Sequence, residues 1–63
     1  MNNYTQKKIE NILKSSDPAY AFEVEIRQQV DKQTRCNNDI VYNELNEHIN
    51  AIVEARAKFL GIS

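Results

Sequence analysis

The chain has 63 residues, one cysteine, one histidine and a formal net charge of −1. That length allows one domain at most, burying only about 60% of its unfolded surface. Cys36 and His48 can supply neither an internal disulfide nor a four-ligand structural zinc site, which leaves association with another chain as the means of supporting so small a core.

Hydrophobic residues at 41% and charged ones at 27% separate the chain from disordered sequences. The opening MNNYTQKKIENILK lacks the apolar run of a signal peptide. No stretch approaches the roughly 20 apolar residues of a membrane span, so a cytoplasmic protein is expected. Residues 1–14 set Lys7, Lys8 and Lys14 against Glu10, whereas between Arg35 and Arg56 only Asp39, Glu44, Glu47 and Glu54 are charged. The chain is therefore polarised, basic early and acidic late.

The first predicted element is a short helix over residues 3–15, with Ile9, Ile12 and Leu13 on its apolar side and Tyr4 one turn earlier. Asp17 before Pro18 reads as an N-cap followed by proline at the first helical position, opening a second helix over 18–35. FEVEIR at 22–27 alternates with period two, as a strand would. Its only β-prone partner is IVY at 40–42, inside the strongest helical pattern, and the helical reading is preferred. Ala19, Phe22, Ile26 and Val30 then share one face, continued inward by Gln33 and Cys36.

CNND at 36–39 marks the next break, with Asn38 or Asp39 capping a third helix over 39–60. Val41, Leu45, His48, Ile52, Ala55 and Phe59 follow one another at spacings of 4 and 3, a heptad seam that Tyr42, Ile49 and Val53 widen. Gly61 ends the helix, with Ile62 placed to fold back on its last turn. The sequence thus predicts an all-α protein of residues 1–63. It has a short N-terminal helix and an antiparallel helical hairpin, dimerising into a helical bundle.

Glu44 and His48, four apart, can touch on one helix side, a contact that supports the helix. A metal site would need more ligands: di-iron carboxylate proteins use Glu and His three apart on two helices, and zinc proteases use two histidines. His48 is the one strongly polar residue of the seam. The preferred reading places it at the edge of the core, satisfied by Glu44; if instead it sets register, replacing it with leucine is expected to stabilise the chain while blurring its oligomeric state. Cys36 has no assured base beside it and reads as a packing thiol. With one glycine there is no phosphate-cradling loop, so no catalytic residue, metal or cofactor is expected.

Two classes of function remain. In the preferred one, a small non-enzymatic dimer binds another protein as a regulator, inhibitor or accessory subunit. Its assembly seam is Val41, Leu45, His48, Ile52 and Phe59, and its partner-facing acidic surface is Glu44, Glu47 and Glu54. In the alternative, Lys7, Lys8, Lys14, Arg27, Lys32 and Arg35 form a face for nucleic acid, although the helix after the turn would carry Asp39, Glu44 and Glu47 toward phosphates. YNELNEHIN resembles the motif of the small sporulation aspartyl-phosphatase hairpins at Glu44 and Leu45 alone. Asn46 stands where that family has its acting aspartate, so no membership follows.

Overall fold

The computed structural model describes residues 3–61, which form three α-helices: α1 (Asn3–Leu13), α2 (Pro18–Thr34) and α3 (Asp39–Leu60). Among the described residues there is no strand. FEVEIR lies inside α2, where local capping overrides its period-two pattern: the Asp17 side chain accepts from the Tyr20 backbone amide at 3.2 Å, and Pro18 opens the first turn.

At the next boundary Asn38, rather than Asp39, is the cap. Its side-chain oxygen accepts from the amides of Ile40 (2.9 Å) and Val41 (3.2 Å), while Asp39 becomes the first helical residue, where its charge suits the helix dipole. Gly61 adopts φ +75° and returns its amide to the Lys58 carbonyl, a conformation a β-carbon would strain. Ile62 lies outside the described residues. Helix α1 stops at Leu13, two residues short of expectation. The Ile12 carbonyl accepts both the amide and the hydroxyl of Ser15, which tightens the chain into a turn.

Ile12, Phe22 and Ile52, one from each helix, form the apolar core, with Ile9, Ala21, Ile26 and Ala55 packed around them, and Ile49 of α3 is also buried. Phe22 also rests against Phe59, ring centroids 5.9 Å apart at 46°, a tilted pair worth about 0.5–1.5 kcal/mol beyond its buried area. Along α2 the contacts Phe22 to Phe59, Glu25 to His48 and Gln33 to Asn46 follow in one order, and along α3 in the reverse order.

α1 sits on one flank of this pair, against the side of α2 that carries Ala21, Val24 and Gln28 and the side of α3 that carries Ala51, Ala55 and Lys58. At 100° per residue, Ile26 and Val30 of α2 and Tyr42, Ile49, Val53 and Leu60 of α3 fall on the opposite flank. The inner stripe of α2 therefore differs from the apolar face expected. Ala19 and Val30 are exposed, and Phe22 is followed inward by Glu25, Gln29 and the half-buried Gln33. Ile26 stays half-buried against the core as expected, but the helix is rotated so that the buried polar groups Glu25 and Gln29 take the place expected for Ala19 and Val30.

Candidate functional site

One end of the core is apolar and the other is polar. Thr5 lies on α1 two turns before Ile12, Glu25 and Gln29 follow Phe22 on α2, and His48 precedes Ile52 by one turn on α3. The helical repeat therefore brings all four to one level, and all are buried, Thr5 and Glu25 to 4% exposure.

The His48 ring links the three helices. Its Nε2 is 3.1 Å from Glu25 Oε2 and its Nδ1 is 2.8 Å from Thr5 Oγ1. Gln29 Nε2 donates to the same Glu25 oxygen at 2.8 Å, and Lys8 Nζ stands 3.6 Å from Oε1. Burial pushes the Glu25 pKa up, but hydrogen bonds from His48 and Gln29 and the charges of Lys8 and His48 outweigh it, holding the carboxyl below its ordinary range. Glu25 is thus a carboxylate and only an acceptor, so Nε2 carries a proton toward it. Nδ1 and the Thr5 hydroxyl share a hydrogen bond whose direction follows the ring: Nδ1 accepts when it is bare and donates when it carries a proton.

Hydroxyl, imidazole and carboxylate stand in the order of a nucleophile, its base and the group that orients the base. Here the three lie within the helix packing, and among the described residues no buried side-chain nitrogen or oxygen lacks a partner. A cavity of about 160 Å³, open to solvent, lies beside Thr5, Gln29 and His48 and is lined on its outer side by Tyr4, Val41, Glu44 and Leu45. Tyr4 covers the imidazole, ring centroids 5.5 Å apart. Among the described residues there is no group of three potential metal ligands.

The partner of His48 is therefore Glu25, 23 residues away in sequence, and not Glu44, which is exposed at the cavity rim. Thr5, Glu25 and Gln29 escaped the sequence reading. The signal that could have found them was the polarity of His48 itself, since an imidazole on a core seam demands buried partners on the facing helices.

Of the seam residues, His48 and Ile52 are buried within the three-helix core and Leu45 is half-buried, while Val41 and Phe59 are exposed. Glu44, Glu47 and Glu54 are exposed and share one flank of α3, with Glu54 3.8 Å from Lys58. The basic residues are scattered. Lys8 is turned to Glu25, Arg27 pairs with Glu23 at 3.2 Å and Arg35 with Asp31 at 3.6 Å, while Lys7 on α1, Lys14 in the turn after it and Lys32 on α2 are exposed. Cys36 is half-buried in the turn, its thiol donating to the Asn38 carbonyl.

No helix among the described residues is long and apolar enough to cross a membrane. No family model, curated protein or solved structure matches the chain.

Proposed function

We propose that the chain is a non-enzymatic, cytoplasmic helical hairpin, crossed on one side by α1, that acts by binding other protein chains and works as a homodimer. One observation carries this reading: the flank of α2 and α3 away from α1 leaves Val30, Tyr42, Val53 and Leu60 between 41 and 46% exposed. Of the ten large apolar side chains exposed among the described residues these four share one flank, and an apolar surface of that kind suits a protein partner. The closed polar network supports the non-enzymatic part, since donors already committed within a core are not free to stabilise developing charge.

The acidic flank of Glu44, Glu47 and Glu54 suits a basic partner, approached by electrostatic steering. The dispersal of the six basic residues weakens the nucleic-acid alternative, because phosphate binding needs them on one surface.

Affinity capture from the native cell with mass spectrometry tests the reading, with the triple variant Glu44→Lys, Glu47→Lys, Glu54→Lys run in parallel. The expected result is a protein captured by the wild type and lost or reduced with the variant. Capture of nothing above background would overturn the proposal. A gel shift that weakens steeply with salt would transfer the function to nucleic acid.

A further inference from the structure

We infer that the flank of α2 and α3 opposite α1 is occupied by a second copy of this chain, with the two α3 helices packed antiparallel across a twofold axis. This rests on the protein-binding reading above and names both the surface and its occupant.

The pattern on α3 supplies the first reason. Beside the inner seam runs a second one, Tyr42, Asn46, Ile49, Val53, Arg56 and Leu60, again spaced 4, 3, 4, 3, 4. The inner seam is filled by α1 and α2, while the second is covered only in part: Ile49 is buried and Asn46 accepts from Gln33 of α2, but Tyr42, Val53 and Leu60 stay 41 to 46% exposed. Two adjacent heptad seams on one helix call for neighbours on two sides.

The order of residues along this seam suits its own reverse. Turned antiparallel about its midpoint, it sets Tyr42 of one copy against Leu60 of the other, Ile49 against Val53, and Asn46 against Arg56. A twofold interface must be self-complementary in this way, and here no like charges meet. Arg56 is the only charged residue of the stripe, and it faces an amide.

The area is also suited to a second copy. The chain exposes 4819 Å², against about 4,200 Å² expected for a monomer of 7.3 kDa. The excess over that expectation, roughly 600 Å², is comparable to the roughly 800 Å² that each partner gives to a stable interface.

Analytical ultracentrifugation of the full chain decides the matter, with circular dichroism to verify folding. The wild type is expected to be a dimer in the micromolar range. Val53→Glu, at a side chain 44% exposed, is expected to raise the dissociation constant about thirty-fold or more, the scale of an interface hot spot, while retaining its helical signal. Orientation is tested by Asn46→Lys, which sets two cations together and weakens the dimer. Adding Arg56→Glu restores it. Glu10→Gln, on α1 and away from this flank, leaves association unchanged. A wild type monomeric at 100 µM, or a dimer indifferent to Val53→Glu, overturns the inference. If such a monomer still captures a different protein from the cell, the protein-binding reading survives while the second copy is excluded.

Discussion

At the scale of single residues the polar end of the core makes a sharp prediction about acid. The folded pKa of Glu25 is lowered, so its carboxylate contributes stability that is present above the unfolded value and lost as pH falls through the folded one. Thermal melts should show the wild type weakening through the acidic carboxylate range. Glu25→Gln should flatten that dependence and cost about 1–3 kcal/mol at neutral pH, because donors that faced a carboxylate lose their strongest acceptor. The structure also reverses the expectation for His48. Leucine there leaves the Glu25 carboxylate and the Thr5 hydroxyl without the imidazole that now joins them. Denaturant unfolding should show His48→Leu destabilised by about 2–4 kcal/mol. Removing the charge with it, in the triple variant Thr5→Val, Glu25→Met, His48→Leu, should recover most of the loss, since a buried polar group set can be replaced by apolar side chains at little cost. A triple variant less stable than the single one would show that the network contributes more than its own desolvation costs.

At the scale of helices, the boundaries were legible and the orientation of α2 was not. Asp17 with Pro18, the Asn38 region and Gly61 announce ends through chemistry that acts within three or four residues, and a sequence displays such chemistry directly. Asn38→Ala removes an oxygen that two amides share and should cost about 1 kcal/mol in a denaturant titration. The inner stripe of α2 is a different kind of fact. Glu25 and Gln29 read as surface residues by polarity, and only a histidine on another helix, 23 positions from Glu25, makes them core. A search confined to neighbours on the same helix instead assigns His48 to Glu44. The rotation that follows leaves Ile26 half-buried against the core and turns Val30 to the outer flank, beside the exposed Tyr42, Val53 and Leu60.

At the scale of the whole molecule the three helices are unequally held. α2 and α3 meet along most of their length, whereas α1 buries Thr5 and Ile12 and is tied to α3 through a hydrogen bond between residues 43 positions apart, Thr5 and His48. Closing so long a span of chain takes entropy that a single short helix repays with few contacts. α1 should therefore detach as a unit without unfolding the rest, a local opening of lower free energy than the global one. In native-state hydrogen exchange the amides of α1 should exchange together and ahead of those in the middle of α2 and α3. Thr5→Val should speed that first group alone, and uniform protection across all three helices would contradict the picture. Because Thr5 covers one side of His48, each such opening would bring the imidazole and its carboxylate briefly into water.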